Sequence, residues 1–349
     1  MNWTVNGHHI LLMLGVTFIT SILLIPIIKK LANHVGAVDV PEKRKVHTKT
    51  TPRMGGLAIF LAFLTGYIFF GEISTQMISI LIGSFLIILL GILDDIKSIR
   101  AIYKFMVQVL AASVIVLYGN ICLQDIGAFG IYINFGIFAY PITIIFIAAI
   151  INAINFIDGL DGLAAGVSSI YFATIAIIAF MLNRIGNLDT TLSLLMLGAT
   201  LGFLIFNFHP ASIFMGDTGS MFLGFIIAVI SLLGYKAATV TSLFVPILIL
   251  FLPLLDTVLA IFRRIIKGKS IGTPDKEHIH HQLLRLNKST KKTVFIMYGI
   301  SLLCAAISIF YTLGDNKTAI LLYIGLLIVI TFLIFKTDIL FKPKKKSRK

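Results

Sequence analysis

Apolar stretches long enough to cross a bilayer recur along the whole chain and leave few polar residues between them. Of the 349 residues, 58% are hydrophobic and only 13% are charged, whereas about a quarter of the residues in soluble domains are charged. The pattern predicts an all-α polytopic integral membrane protein with about eleven transmembrane helices. Because no stretch is long and polar enough for a separate soluble domain, we expect residues 1–349 to form a single membrane-embedded domain.

Basic residues predict how the chain is oriented in the membrane. With the N-terminus outside, all of the 29 lysines and arginines except Arg184, Lys236 and Lys317 fall on the inner side. Cytoplasmic loops of membrane proteins carry such an excess, so the C-terminus is expected in the cytoplasm. The basic tail (336–349) then faces anionic membrane lipids. The net charge of +14 is compatible with nucleic-acid binding, but the concentration of the basic residues on the inner side predicts a topology signal and no nucleic-acid partner.

Four short polar segments interrupt the apolar sequence, and each carries acidic or histidine residues. In the predicted topology all four emerge on the cytoplasmic side. Charged groups beside membrane spans are costly, and independent structural carboxylates would have no reason to collect on one face. The pattern favours one composite site. The segments are GILDDIKS (91–98), NAINFIDGLDGLAAG (152–166), NFHPASIFMGDTGS (207–220) and HIHHQLL (278–284).

The first segment places Asp94 and Asp95 side by side at the end of the third predicted span. Neighbouring side chains on a helix point about 100° apart, so both can reach one cation, or one can bind metal while the other handles a proton. Carboxylate oxygens suit Mg²⁺, which often bridges to substrate phosphates. The alternative is a solvated helix C-terminus, where the helix dipole disfavours negative charge.

In the second segment, Asn152, Asn155, Asp158 and Asp161 recur every third residue. Such spacing predicts that the four side chains share one helical face. Two amides and two carboxylates suit the hydroxyl groups of a sugar or ribose, or a nucleotide base. The alternative is a turn between the fifth and sixth spans, with Asp161 capping the second of them.

In the third segment, Asp217 follows Gly216 and precedes Thr218 at the start of the eighth predicted span (219–235). The N-terminus of a helix favours phosphate or carboxylate, so Asp217 is either a cap or a metal ligand. Its position beside Asn207 and His209 favours a metal ligand. Phe214 either stacks on a base or makes a packing contact.

The fourth segment lies in a predicted cytoplasmic loop (263–292) and contains His278, His280 and His281. These histidines lack the companion ligands of a typical zinc site. In a basic loop they are better suited to donate hydrogen bonds to a diphosphate. An ordinary solvated loop is the alternative.

Three further charged residues each have two possible interpretations. Lys49 and Arg53, in the first cytoplasmic loop, are either binding groups for a lipid phosphate or topology signals. Asp256 is a carboxylate inside the ninth predicted span. It either lines the site or forms a structural pair.

Together with PRMGG (52–56), the four segments closely resemble the motifs of the polyprenyl-phosphate N-acetylhexosamine-1-phosphate transferase family, over essentially the whole chain. HIHH is similar to the branch that transfers GlcNAc-1-phosphate, and the chain most resembles the enzymes that open wall teichoic acid synthesis. The resemblance implies UDP-GlcNAc as donor, undecaprenyl phosphate as acceptor, and UMP as product. It also implies Mg²⁺ or Mn²⁺ as cofactor, a homodimer, and an active site on the cytoplasmic face of the cell membrane.

The resemblance also implies a role for each matching position. The implied catalytic residues are Asp94, Asp95, His280 and His281, and the implied metal ligands are Asp217 and Asp95. The implied substrate-binding residues are Asn155, Asp158 and Asp161 for the nucleotide, Asn207 and Phe214 for the nucleoside, His278 for the diphosphate, and Lys49 and Arg53 for the acceptor phosphate.

Three alternatives stay open. The reaction is either a direct displacement, which we favour, or proceeds through a covalent aspartyl intermediate. A second alternative is that the protein is a transferase of the same family that uses another UDP-N-acetylhexosamine. A secondary transporter also carries intramembrane carboxylates, but it places them near the bilayer midplane between repeats, and no repeat of the segments occurs in this sequence.

Overall fold

The computed structural model describes residues 4–40, 50–128, 131–183, 186–237, 247, 249–266, 268, 279–314 and 316–336. Most of these residues are helical. The α-helices are α1 (Ile10–Val35), α2 (Gly55–Phe70), α3 (Thr75–Ile96), α4 (Ala101–Ser113), α5 (Ala139–Ile157), α6 (Leu163–Met181), α7 (Leu188–Asn207), α8 (Gly216–Ala237), α9 (Phe251–Ile266), α10 (Ile279–Asn287), α11 (Thr290–Leu313) and α12 (Asn316–Lys336).

Eight helical segments among the described residues are long and apolar enough to cross a membrane. One of them, Ala101–Tyr118, joins α4 to a π-helical continuation (Val114–Tyr118), and α2 is a shorter apolar helix. The predicted all-α, multi-pass class is confirmed. The count of eleven spans and the orientation stay predictions, and the ninth predicted span and the basic tail include residues outside the described part of the chain.

The described residues contain three short antiparallel strand pairs that the sequence analysis did not predict; one precedes α1 and two lie in connections between helices. They are β1 (Thr4–Val5) with β2 (His8–His9), β3 (Val38–Asp39) with β4 (Thr51–Pro52), and β5 (Asp125–Ala128) with β6 (Ile131–Asn134). In the second pair Val38 faces Pro52 and Asp39 faces Thr51. This pairing closes the first loop and leads the chain directly to Arg53, whose N–H donates to the carbonyl of Ala37 at 2.9 Å.

Helix α8 is the centre of the bundle, and nearly all of its membrane-length stretch is buried. It packs against α2, α3 and α5, so it needs an apolar surface on every side. Close approach to α3 requires glycine at Gly91, because a Cβ there would lie 2.3 Å from the Cα of Thr218. Small residues allow helices to pack this closely in membranes. The first and third polar segments therefore meet where α3 ends and α8 begins.

Hydrogen bonds to main-chain groups join the connections between helices at the same end of the bundle. The N–H of Gly55 donates to the carbonyl of Phe214 at 2.9 Å, and the N–H of Phe214 donates to the carbonyl of Pro52 at 2.8 Å. The side chain of Asn207 bonds to the N–H of Gly162 at 3.0 Å. These bonds bring PRMGG and the second and third polar segments together.

Replacing Gly91 with alanine is expected to destabilise the protein by about 1–3 kcal/mol, because the backbone of Thr218 cannot yield to the added methyl group. The matched control is Gly15→Ala in α1, where nothing lies within 4 Å of the added atom. That change is expected to be neutral or to stabilise the helix by up to about 1 kcal/mol. Thermal unfolding in detergent measures both, and equal midpoints for the two variants would contradict the close α3–α8 contact.

Candidate active site

The ammonium group of Lys104 lies between two carboxylates that are far apart in the sequence. Its Nζ atom is 2.7 Å from Oδ2 of Asp94 and 2.6 Å from Oδ2 of Asp217. Asp94 comes from the last turn of α3, Lys104 from the first turn of α4, and Asp217 from the first turn of α8. Because buried charges are stable only when they are paired, this arrangement defines the charged centre of the site.

The carboxylate of Asp95 caps α8 from outside that helix. Its Oδ1 accepts the N–H of Asp217 at 2.9 Å, while Oδ2 accepts the N–H of Thr218 at 3.1 Å and its hydroxyl at 2.6 Å. The first N–H groups of a helix have no partner within the helix, and a carboxylate there also interacts favourably with the helix dipole. Gly216 leaves room for this contact, since a Cβ at its φ of +71° would lie 2.3 Å from Asp95.

The guanidinium of Arg53 supplies the second positive charge of the cluster. Its Nε is 3.3 Å from Oδ1 of Asp95, and its Nη2 is 3.7 Å from Oδ1 of Asp217. Burial lowers the pKa of Arg53, but the surrounding carboxylates, Asp95 first and then Asp217, together raise its pKa above its ordinary value. Its side chain is 32% exposed, which leaves it within reach of an anionic substrate.

The predicted ladder of four residues on one helical face is only half right. Helix α5 ends at Ile157, so Asp158 and Asp161 lie in the turn before α6. A spacing of three residues continues through that turn although the helix does not. The other two members do lie on α5. Asn155 donates to the hydroxyl of Ser220 at 2.8 Å, and Asn152 donates to the side chain of Gln108 at 2.7 Å.

The two carboxylates of the turn have different surroundings. Burial raises the pKa of Asp158 well above its usual range, and the nearby carboxylate of Asp217 raises it further. Oδ2 of Asp161 accepts the N–H of Ala211 at 3.1 Å and lies 2.7 Å from Nδ1 of His209. Asp161 therefore fixes the connection between α7 and α8, and its role in substrate binding stays a prediction.

Asn207, predicted to contact the nucleoside, is 3% exposed. Its oxygen accepts the N–H of Gly162, and its nitrogen donates to the carbonyl of Ile213, both at 3.0 Å. The side chain thus holds two connections of the site together. Phe214 is partly buried beside them. Contact of either residue with a nucleoside stays a prediction.

The histidine segment is partly outside the described residues. His280 and His281 lie in the first turn of α10, whereas Lys49 and His278 fall outside the described part of the chain. The predicted roles of all four residues in substrate binding or catalysis therefore stay predictions.

Sequence reasoning missed Lys104 and Thr218. The signal for Lys104 was present, since it is a lone cation in the apolar stretch AIYKFMVQVL (101–110), and an intramembrane charge is a functional signal by default. Thr218 had no comparable signal. Its hydroxyl matters only because α3 approaches α8 at that residue.

The carboxylate oxygens of Asp94 and Asp217 fit a divalent cation whose coordination is completed by substrate oxygens. Oxygens of Asp94 and Asp217 already converge on one positively charged group, and Mg²⁺ commonly takes one or two carboxylates plus phosphates and water. Among the described residues, no group of three or more acidic, histidine or cysteine side chains is arranged to hold a metal ion. Since both oxygens of Asp95 accept hydrogen bonds from α8, its geometry favours a positioning role over the predicted role of metal ligand.

Comparison with known proteins agrees with the motifs. Residues 77–235, which contain the first three polar segments, match the family model described as glycosyl transferase family 4. A relative in Bacillus subtilis (strain 168), named probable undecaprenyl-phosphate N-acetylglucosaminyl 1-phosphate transferase, is 46% identical over 82% of this chain and 80% of its own length. The chain belongs to glycosyl transferase family 4. The predicted resemblance to polyprenyl-phosphate N-acetylhexosamine-1-phosphate transferases is thereby confirmed.

More distant members of the family cover the chain equally well. The decaprenyl-phosphate N-acetylglucosaminephosphotransferase of Mycobacterium tuberculosis (strain H37Rv) is 36% identical over 84% of this chain and 81% of its own length. The undecaprenyl-phosphate alpha-N-acetylglucosaminyl 1-phosphate transferase of Haemophilus influenzae is 33% identical over 86% of each chain. These alignments extend well beyond the segment that the family model matches.

Replacing Asp95 with alanine is expected to lower stability by about 1–3 kcal/mol, because buried donors at the start of α8 lose their acceptor. The matched control is Glu72→Ala, which removes an exposed carboxylate from the connection between α2 and α3 and leaves the start of α8 capped. We expect a clearly smaller loss of stability for that control. Thermal unfolding in detergent without divalent cations measures the difference, and an equal or larger loss for the control would contradict the capping role.

Proposed function

We propose that this protein transfers GlcNAc-1-phosphate from UDP-GlcNAc to undecaprenyl phosphate and releases UMP. The proposal carries over the activity named for the relatives in Bacillus subtilis and Haemophilus influenzae. The observation that supports it best is the convergence of Asp94, Lys104 and Asp217 from three helices at one end of the bundle. Transfer would occur on the cytoplasmic face of the cell membrane, as the first membrane step of a cell-wall polymer. The motif resemblance favours wall teichoic acid as that polymer.

The reaction joins two anions, so repulsion between them has to be reduced. An oxygen of the acceptor phosphate attacks the β-phosphorus of the donor, and the bond from that phosphorus to the bridging oxygen of UMP breaks. Lys104 and Arg53 are the cations that lie within the carboxylate cluster of the described residues. In a site protected from water, such prearranged positive charge stabilises the charge of the transition state.

The three carboxylates at the ends of α3 and α8 have different proposed roles. Asp217 would hold Mg²⁺ together with donor phosphate oxygens, and the ion would neutralise diphosphate charge and stabilise the departing UMP. Asp95 fixes Asp217 by capping the helix on which it lies. Asp94 accepts the N–H of Ile99 and the ammonium of Lys104, and we assign it to orient the acceptor phosphate or take its proton. This assignment favours direct displacement, since a phosphate oxygen is already a nucleophile.

The proposal is tested with purified protein in detergent, undecaprenyl phosphate, Mg²⁺ and a panel of radiolabelled UDP-sugars. We expect release of UMP and formation of a lipid-linked product with UDP-GlcNAc, and loss of both when EDTA removes the divalent ion. Preference for another UDP-N-acetylhexosamine would correct the donor. A secondary transporter would release no UMP, and that result would refute the proposed activity.

Replacing Lys104 with methionine is expected to lower the rate of UMP release by about 10²-fold or more, because Asp94 and Asp217 lose the cation between them. The matched control is Lys97→Met, which removes an exposed lysine from the short connection between α3 and α4. That variant is expected to retain activity within about twofold, as for surface substitutions. Near-normal turnover of the Lys104 variant would contradict its assigned role.

A further inference from the structure

Asp256 is a fully buried carboxylate outside the cluster of Asp94, Asp95 and Asp217. It lies in α9, in the stretch FLPLLDTVLA (251–260), and is 0% exposed. A carboxylate in such surroundings is stable only with hydrogen-bonding partners. Its Oδ1 accepts the main-chain N–H of Ile279 at 2.9 Å, across 23 residues of sequence. The bond is itself buried, and Ile279 is 4% exposed.

The partner of Asp256 is the first residue of α10. A helix begins with N–H groups that have no acceptor within the helix, and a carboxylate at this end also interacts favourably with the helix dipole. α10 has nine residues, and helices this short depend on contacts with the rest of the protein. Because the acceptor comes from α9, the bond fixes the position of the start of α10 relative to α9.

Both helices joined by this bond are linked to the α5–α6 region that carries Asp158 and Asp161. His280 and His281 directly follow Ile279 in the first turn of α10. On α9, the guanidinium carbon of Arg264 lies 5.6 Å from the centre of the Phe156 ring, two residues before Asp158. α10 also packs against α11, whose Tyr298 donates its hydroxyl to the carbonyl of Gly162. The histidine turn and the turn that carries the aspartates are therefore held by neighbouring elements.

We propose that Asp256 is a positioning residue, which sets the start of α10 and thereby places His281 for contact with the diphosphate of the donor. This inference rests on the proposed function, because that function gives the histidines their role. In this role Asp256 acts through its hydrogen bond to the main chain of Ile279. The sequence offers two interpretations of Asp256: it lines the site or it forms a structural pair. The contact with Ile279 is structural, and the role proposed for it is to support catalysis.

The test compares Asp256→Ala with Asp256→Asn, whose amide oxygen can still accept the N–H of Ile279. Hydrogen–deuterium exchange of residues 279–282 reports on the start of α10, and the kinetics of UMP release report on the reaction. For the alanine variant we expect faster exchange at these amides and a kcat lowered about tenfold, as for loss of a buried acceptor. For the asparagine variant we expect both quantities within about threefold of the wild type, because the acceptor is retained.

A second arm asks whether Asp256 acts through the histidines. In a His281→Ala background, the effect of Asp256→Ala on kcat should shrink to less than about twofold, since residues that act as a unit are not additive. The matched control is Asp189→Ala, which removes a buried carboxylate from the first turn of α7. α7 places Asp189 about 27 Å from Asn207 at the site end. This control should leave exchange in α10 and kcat unchanged even where it lowers thermal stability.

Unchanged exchange at residues 279–282 in Asp256→Ala would overturn the proposal. Full additivity with His281→Ala would also overturn it, because Asp256 would then act by another route. Absence of UMP release from the wild-type protein would refute the proposed function. In that event the exchange measurement would still decide whether Asp256 sets the start of α10.

Discussion

The hydrogen bonds from the first turn of α8 to the carboxylate of Asp95 are the contact on which the rest of the site depends. They join the end of α3 to the start of α8, and they orient Asp217 in the first turn of that helix. The buried cap costs less than an isolated charge because three donors and the guanidinium of Arg53 surround it. With α8 fixed in this way, Asp94 and Asp217 can share the ammonium of Lys104.

This arrangement gives the two adjacent aspartates different contacts. Asp95 faces the helix and has both oxygens occupied by donors from α8, whereas Asp94 faces Lys104. Adjacent positions on a helix point about 100° apart, so one side chain supports the structure while its neighbour faces the charged centre. Elsewhere in the site, Asn207 and Asp161 are also structural supports, because they hold the connections in place by hydrogen bonds to the main chain.

Much of the fold and part of the site could be predicted from the sequence. Long apolar stretches predict membrane helices because the bilayer sets their length, and the polar segments between them identified Asp94, Asp95 and Asp217. The ladder prediction failed at Asp158, because a spacing of three residues does not reveal where a helix ends. Contacts between distant parts of the chain were not predictable either. Two examples are the hydrogen bond from the hydroxyl of Thr218 to Asp95 and the one from the N–H of Ile279 to Asp256. Both depend on which helices pack together.

The central claim is that the carboxylates of α3 and α8 face one point in space. It is tested most directly by replacing Asp94 and Asp217 with cysteine in one protein and titrating it with Cd²⁺, which prefers soft thiolate ligands. The account predicts that micromolar Cd²⁺ protects both cysteines together from maleimide, whereas a pair of cysteines at Asp94 and Asp189 is not protected. Independent labelling of the two thiols at positions 94 and 217, whatever the Cd²⁺ concentration, would contradict the account.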